Sequence, residues 1–154
     1  MCKKSIIIII IVLILDQLTK FIIIKKFYLG ESVAVLKNIF HITYITNTGA
    51  AFGIFQGYGK VLLIFSIVAI ILISVLIFTR KNIFHISQVS FSLILGGAIG
   101  NLSDRIFRGE IVDFLDFRIW PVFNIADSAI TVGMTILFIY SFLPRSKEKD
   151  SNII

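Results

Sequence analysis

The sequence predicts an all-α integral membrane protein with four transmembrane helices and a small β-rich extramembrane subdomain between helices one and two. The first reason is composition. Hydrophobic residues make up 57% of the 154 residues and charged residues 16%, which is too apolar for a soluble domain of this size. The second reason is that the apolar residues are concentrated in runs long enough to cross a bilayer. We expect residues 1–154 to form a single membrane-embedded domain.

Four apolar segments carry the predicted membrane spans, each about 26 to 32 Å long at ~1.5 Å rise per residue. They are Ser5 to Ile24, Val61 to Thr79, Ile86 to Leu102 and Phe123 to Leu143. The first resembles a signal peptide because two lysines precede an isoleucine run. It lacks a small-residue cleavage site, however, and contains Asp16 and Lys20. We therefore predict that this segment is retained as a helix.

The segment between the first two predicted helices, about Lys25 to Lys60, is too long to be a bare connection. Within it, Ser32 to Leu36 is rich in valine. Farther along, Phe40, Ile42 and Tyr44 alternate with other residues at the period-two spacing of a strand. These patterns predict a small β-structure that lies on the membrane surface.

The formal charge of +6 and the pI near 9.6 do not indicate nucleic acid as a partner. The basic residues stand at the ends of apolar runs, where they meet lipid headgroups. One cysteine and two histidines are too few for a disulfide framework or a typical zinc site. We therefore expect no metal and no cofactor, and any hydrolytic chemistry must use carboxylates, hydroxyls or lysine.

Lys and Arg do not by themselves fix the orientation in the membrane, because seven lie on each side of the predicted four-helix arrangement. We predict cytoplasmic termini, since the shorter segments on that side carry the denser charge. The polar residues then converge at the outer membrane face. They are Asp16, Lys20, Asn47, Gly49, Asn101, Asp104, Arg105, Asp113, Asn124 and Asp127.

Asp113 and Asp127 are the leading candidates for chemistry. Asp127 stands near the start of the fourth apolar segment, where an acid is costly and usually functional. A second acid close in sequence suggests that both share one site and one proton, as in an aspartyl hydrolase. Asp116 lies three residues from Asp113, and spacing alone does not choose between them.

Several of these residues also have a purely structural interpretation. Asp16 and Lys20 are spaced i, i+4, so they could neutralise each other within the membrane. Gly96 and Gly100 have the small-xxx-small spacing that lets helices pack closely in lipid. We assign Arg108 to an interfacial charged loop.

Two other functions fit parts of the pattern. A serine-lysine peptidase would use Lys20 with Ser103 or Ser128, although no local motif sets a serine beside this lysine. A small transporter or channel subunit would also place acids and a lysine in its helices. Cleavage that survives Asp127→Asn would favour the first, and ion flux without peptide cleavage the second.

Four ordered motifs resemble the signatures of the prolipoprotein signal peptidases, the type II signal peptidases of bacteria. They are NTGAAF (Asn47–Phe52), GGAIGNLSDR (Gly96–Arg105), IVDF (Ile111–Phe114) and FNIADSAI (Phe123–Ile130). The resemblance covers nearly the whole chain, and Asp16 and Lys20 match the polar pair of the family's first helix. Members of this family are four-helix aspartyl endopeptidases of the bacterial inner membrane. They remove the signal peptide from lipoproteins that already carry diacylglyceryl on the future N-terminal cysteine.

The resemblance implies that Asp113 and Asp127 are the catalytic pair and that cleavage occurs just before the lipid-modified cysteine. Asp113 is preferred to Asp116 because the family's acid follows two small aliphatic residues and precedes phenylalanine, as in IVDF. The implied site also includes Asp16, Lys20, Asn47, Gly49, Asn101, Asp104, Arg105 and Asn124.

The implied partners are lipid-modified prolipoproteins and membrane lipids, and we expect a monomer. Phe52 and Phe55 are candidates for the lining that receives the acyl chains. The stretch between the two aspartates is short, so we expect a small flap over the site.

Overall fold

The computed structural model describes residues 3–49, 58–79 and 85–142. Within these ranges the elements in chain order are α1 (Lys3–Lys26), β1 (Ser32–Leu36), β2 (Phe40–Asn47), α2 (Gly59–Thr79), α3 (His85–Phe107), β3 (Ile111–Asp116) and α4 (Ile125–Phe142). All four helices are long and apolar enough to cross a membrane. The predicted fold class, a four-helix membrane protein with a small β-structure, is confirmed.

The helix ends differ from the predicted ones in an informative way. α3 was predicted to end at Leu102 but continues to Phe107, because a helix needs backbone hydrogen bonds and not an apolar sequence to extend beyond the hydrocarbon. α4 begins at Ile125 rather than at Phe123. Phe123 is held extended by backbone hydrogen bonds with Leu115, at N–O distances of 2.8 and 3.1 Å.

The β-structure contains a strand that the sequence did not predict. The sheet order is β1-β2-β3 with antiparallel pairing, and β3 comes from the connection between α3 and α4 rather than from the first loop. Its sequence IVDFLD is almost entirely buried, so it lacks the alternation of a half-buried strand. Asp113, which follows the predicted end of the third helix at Leu102 and precedes the fourth at Phe123, is therefore held within a sheet.

A β-bulge in β2 determines which of its side chains lie on the same face of the sheet as Asp113. Ile42 pairs with Leu115 and Ile45 pairs with Asp113. Between these two pairs β2 advances by three residues and β3 by only two, so β2 contains one extra residue. An extra residue of this kind re-aims the side chains that follow it. Ile45 and Asn47 consequently lie on the same face of the sheet as Asp113.

α3 packs against each of the other three helices, and its glycines permit the close approach. A Cβ added to Gly96 would lie 2.9 Å from the Cβ of Val12 on α1. A Cβ added to Gly100 would lie 2.6 Å from the Asp16 carboxylate. The packing interpretation of Gly96 and Gly100 is confirmed, and Gly100 also makes room for a buried acid.

Gly97→Ala is expected to destabilise the protein by about 1 to 3 kcal/mol, because the added methyl group would meet the backbone oxygen of Ala126 and force α3 and α4 apart. Gly59→Ala is the matched control, since among the described residues the nearest atom to its added Cβ is the Thr48 oxygen at 3.7 Å. Thermal unfolding in detergent measures both. Equal unfolding temperatures for the two variants would contradict the close packing at Gly97.

Candidate active site

Asp113 on β3 and Asp127 in the first turn of α4 line one cavity of about 1260 Å³. Asn47, Gly49, Asn101 and Arg105 from the predicted site also line it. The aspartates are thus brought together by elements on either side of a short connection. Asp113 is only 2% exposed, so its carboxylate meets this cavity rather than bulk water.

Asp113 is oriented by two side-chain amides. Asn124 donates through Nδ2 to Oδ1 of Asp113 at 2.7 Å, and Asn47 donates through Nδ2 to Oδ2 at 3.2 Å. Burial and the nearby charge of Asp127 raise the pKa of Asp113 to about 7, although these two hydrogen bonds act in the opposite direction. Near neutral pH, Asp113 is therefore able to carry a proton.

Asp127 is held by the cap of its own helix. Asn124 precedes α4, and its Oδ1 accepts the backbone N–H of Asp127 at 2.9 Å. The Asp127 carboxylate in turn accepts the backbone N–H of Asn124 at 3.3 Å. This reciprocal pair of hydrogen bonds is a capping box. The motif FNIAD therefore both starts α4 and fixes the position of the Asp127 carboxylate.

Asn101 links Asp127 to a buried lysine. Its Nδ2 donates to Oδ1 of Asp127 at 2.7 Å, and its Oδ1 accepts from Lys20 Nζ at 3.0 Å and from Asn124 Nδ2 at 3.2 Å. An ammonium group can only donate hydrogen bonds. Lys20 therefore requires the amide oxygen of Asn101 to face it, which leaves the amide nitrogen for Asp127.

Lys20 is fully buried between two carboxylates, Asp16 at 2.9 Å and Asp104 at 2.7 Å. The predicted pairing of Asp16 with Lys20 is present, but it belongs to a larger cluster. Asp16 accepts the backbone N–H of Ala126 at 3.0 Å, and Asp104 accepts that of Val112 at 3.3 Å. The cluster consequently ties α1 and α3 to the starts of β3 and α4, which carry the two candidate catalytic acids.

Gln17 and Arg108 complete this cluster and were not predicted to take part. Gln17 Nε2 donates to Asp16 at 3.0 Å and to Asp104 at 3.1 Å, and its Oε1 accepts from Arg108 at 3.1 Å. Arg108 also forms an ion pair with Asp104. Arg108 does lie in the charged loop after α3, as predicted, but its guanidinium also balances a buried carboxylate. A glutamine beside an acid in an apolar run was the available signal for Gln17.

Arg105 and Gly49 lie at the rim of the cavity. Arg105 donates through Nη2 to the backbone oxygen of Gly49 at 3.1 Å, and the backbone N–H of Gly49 donates to Oδ1 of Asn47 at 2.9 Å. These contacts attach the end of β2 to α3. Phe52 and Phe55, predicted to receive acyl chains, lie outside the described residues.

Asp116, the rival of Asp113, is positioned differently. Asp116 is not among the described residues that line the cavity. Its carboxylate accepts hydrogen bonds from the Thr43 hydroxyl, at 2.7 Å, and from the backbone N–H of Arg118, at 2.8 Å. Burial would raise its pKa, but these hydrogen bonds and the Arg118 charge hold the pKa below its usual value. Asp116 is thus arranged to stabilise the sheet as a carboxylate.

Neither serine of the serine-lysine hypothesis contacts Lys20. Ser103 Oγ donates to the Ile99 oxygen and Ser128 Oγ donates to the Asn124 oxygen, each at 2.8 Å. The Lys20 ammonium is already bound to two carboxylates and an amide. The geometry therefore gives no support to lysine as a general base.

The fold and this site define an integral membrane enzyme of the aspartyl peptidase class. Residues 8–143 match the family model described as signal peptidase (SPase) II, and the chain belongs to that family. It is 42% identical over 134 residues to a lipoprotein signal peptidase of Halothermothrix orenii, covering 87% of this chain and 92% of the relative. The lipoprotein signal peptidase of Nostoc punctiforme is 46% identical over 132 residues, 83% of this chain and 82% of the relative.

Two solved structures, both described as bacterial membrane enzymes, have the same fold. One, at 2.3 Å resolution, matches with a TM-score of 0.90 and 35% identity, over 100% of this chain and 96% of the other. The second, at 1.9 Å resolution, matches with a TM-score of 0.83 and 37% identity, over 92% and 94% of the two chains. The resemblance seen in the sequence motifs is therefore confirmed at the level of the family, and the chain is a multi-pass bacterial membrane protein.

Proposed function

We propose that this protein is the aspartyl endopeptidase that removes the signal peptide from diacylglyceryl-modified prolipoproteins, cleaving just before the lipid-modified cysteine. The observation that carries this proposal is that Asp113 and Asp127 line one cavity, each held by two hydrogen-bond donors. The relatives named lipoprotein signal peptidase support the substrate class. We place the whole activity in one domain spanning residues 1–154.

In the proposed reaction Asp127 begins as the base and Asp113 as the acid. The raised pKa of Asp113, about 7, supports protonation there. The positive end of α4 favours a negative charge on Asp127. Asp127 takes a proton from a water molecule as the water oxygen bonds to the scissile carbonyl carbon. Asp113 donates a hydrogen bond to the developing oxyanion and then gives its proton to the leaving amine as the C–N bond breaks.

The remaining polar groups hold this pair in place. Asn101 donates to Asp127, and Asn124 donates to Asp113 and to the amide oxygen of Asn101, so the two carboxylates are linked through a hydrogen-bonded pair of amides. Arg105 faces the same cavity and is suited to a carbonyl oxygen of the substrate backbone. Geometry fixed in advance in this way lowers the cost of reaching the transition state.

An apolar wall of the cavity is suited to the lipid and the signal peptide. Phe117, Ile119 and Trp120 come from the connection between β3 and α4, and Ile130 and Val132 come from α4. Ile119 is 94% exposed and Trp120 is 58% exposed, so this wall extends beyond the buried site. We propose that the diacylglyceryl chains contact it, in addition to any contribution from Phe52 and Phe55.

We further propose that the protein lies in the cytoplasmic membrane as a monomer, with both termini in the cytoplasm and the aspartates near the outer face. The dense charge of the shorter connecting segments supports this orientation. Labelling by a membrane-impermeant reagent tests it in intact cells, with a single cysteine placed at Lys4 or Lys37 in a Cys2→Ser background. Only the residue at position 37 is expected to react.

The direct test is cleavage of a diacylglyceryl-modified prolipoprotein by the purified protein in detergent. We expect the protein to cleave the modified substrate, and to do so in the presence of a chelator. We expect no cleavage of a substrate that lacks the lipid. Mass spectrometry of the product identifies the cleaved bond. Absence of cleavage by folded protein, or cleavage away from the modified cysteine, would contradict the proposed function.

The pH dependence follows from the raised pKa of Asp113. Because the acid must be protonated, kcat/KM is expected to fall as the pH rises through about 7. Asn47→Ala removes a hydrogen bond that lowers this pKa, so the fall should move to higher pH. Thr43→Val, which touches Asp116 instead, should leave the profile in place. An unmoved profile in Asn47→Ala would argue against Asp113 as the titrating acid.

A further inference from the structure

A second cavity, of about 180 Å³, lies at the end of the helix bundle opposite the aspartates. It is lined by Lys4, Ser5, Ile8, Gln88 and Val89. Ser5 precedes Lys20 by fifteen residues on α1, which corresponds to about 22 Å along the helix axis. This cavity is therefore separate from the site described above, and nothing in the proposed reaction uses it.

Ser5 is an unusual buried residue because its hydroxyl has no hydrogen-bond partner in the described part of the chain, although the side chain is only 1% exposed. Two other buried serines show the ordinary arrangement. Ser90 donates to the Ile86 oxygen at 2.9 Å and Ser92 to the Gln88 oxygen at 2.7 Å. A buried hydroxyl without a partner is unfavourable. Ser5 lines the cavity, so a ligand there would satisfy it.

The electrostatics of this cavity favour an anion. It lies at the first turns of both α1 and α3, since α1 begins at Lys3 and α3 begins at His85. The first backbone N–H groups of a helix lack intrahelical partners, and its N-terminus carries partial positive charge. Neither first turn contains an acidic residue. Lys4 adds a full positive charge, and Gln88 adds an amide donor.

We propose that this cavity binds a phosphoryl group. A tetrahedral oxyanion can accept hydrogen bonds from the Ser5 hydroxyl, the Gln88 amide and the Lys4 ammonium at the same time. The N-terminus of a helix is a common binding site for phosphate, and residues from the first described turns of α1 and α3 line this cavity. The apolar residues Ile8 and Val89 at the same cavity are suited to the carbon atoms attached to a lipid phosphate. Lysines at a helix end meet such headgroups at the membrane surface.

Native mass spectrometry of the full-length protein in detergent tests this site with three probes. Phosphatidylglycerol carries a lipid-borne phosphoryl group, inorganic phosphate is the free form, and diacylglycerol has the lipid chains without a phosphoryl group. Phosphatidylglycerol is expected to bind and to raise the unfolding temperature. Lys4→Gln is expected to weaken binding about tenfold, because charge-assisted hydrogen bonds are the strong ones. Ser5→Ala should weaken it about threefold through loss of one hydroxyl.

Lys3→Gln is the matched control, since Lys3 is an exposed lysine in the same turn that does not line the cavity. Its affinity for phosphatidylglycerol should match that of the unaltered protein. Competition by inorganic phosphate would show that the site accepts the free form as well, and lack of competition would assign it to the lipid. Both results support a phosphoryl site.

Two results would overturn the proposal. If Lys3→Gln and Lys4→Gln weaken binding equally, the effect comes from surface charge and not from the cavity. If diacylglycerol binds as tightly as phosphatidylglycerol, the phosphoryl group is not what the protein recognises. Unfolding temperatures without added lipid show that each variant is folded. Because no readout depends on peptide cleavage, the outcome is independent of the proposed function.

Discussion

Asp113→Asn and Asp127→Asn are each expected to lower the rate of prolipoprotein cleavage by about 10²- to 10⁴-fold, the usual range for loss of a general acid or base. An amide at position 127 cannot take a proton from water, and one at position 113 cannot supply the proton that the reaction needs. Asparagine keeps the size of each side chain, so the cavity that both residues line should persist. Single-turnover cleavage in detergent measures the loss.

Asp116→Asn is the control for these two variants. Asp116 is also a buried acid on β3, but its carboxylate is bound to Thr43 and Arg118. Asp116 is not among the described residues that line the cavity. Cleavage should stay within a few-fold of the unaltered protein, with some loss of stability. Retained activity in Asp113→Asn with loss in Asp116→Asn would show that the wrong acid had been chosen.

Lys20→Met is expected to destabilise the protein by about 3 to 5 kcal/mol, because removal of one partner leaves buried charge without compensation. Lys20 contacts Asp16 and Asp104 at full burial. Activity should fall as well, since Asn101 loses the donor that fixes its amide. Unfolding temperature and kcat are measured on the same sample, at a temperature where the variant is folded.

Two further variants separate charge from packing at this position. Lys26→Met changes an exposed lysine on the same helix and should have little effect on either quantity. The double variant Lys20→Met/Asp16→Asn removes both an ammonium and a carboxylate, so it should be more stable than Lys20→Met alone while remaining poorly active. An unchanged unfolding temperature in Lys20→Met would contradict the buried ion pairs with Asp16 and Asp104.

Local patterns in the sequence were sufficient for much of this protein. Runs of apolar residues predict membrane spans because a helix must cover about 30 Å of hydrocarbon, and all four were found. The motif FNIAD carries its own structural explanation, since Asn124 and Asp127 form a capping box three residues apart. The family resemblance depended on motifs of the same short range, and it gave the candidate residues around both aspartates.

The tertiary structure decided the features that connect distant parts of the chain. Strand β3 pairs with β2 so that Asn47 lies opposite Ile111, and a bulge in β2 places Asn47 on the face of Asp113. No local period encodes a partner more than sixty residues away. The choice between Asp113 and Asp116 likewise rested on resemblance until the two acids were seen to face different neighbours.

The polar cluster around Lys20 shows the same division. The sequence by itself determined that an acid and a lysine share a face of the first membrane span, because the i, i+4 spacing is a property of one helix. Only the tertiary structure showed that Asp104, Gln17 and Arg108 join them. The physical reason is that a buried charge must be compensated in three dimensions, and the groups that compensate it come from whichever helices the packing brings near.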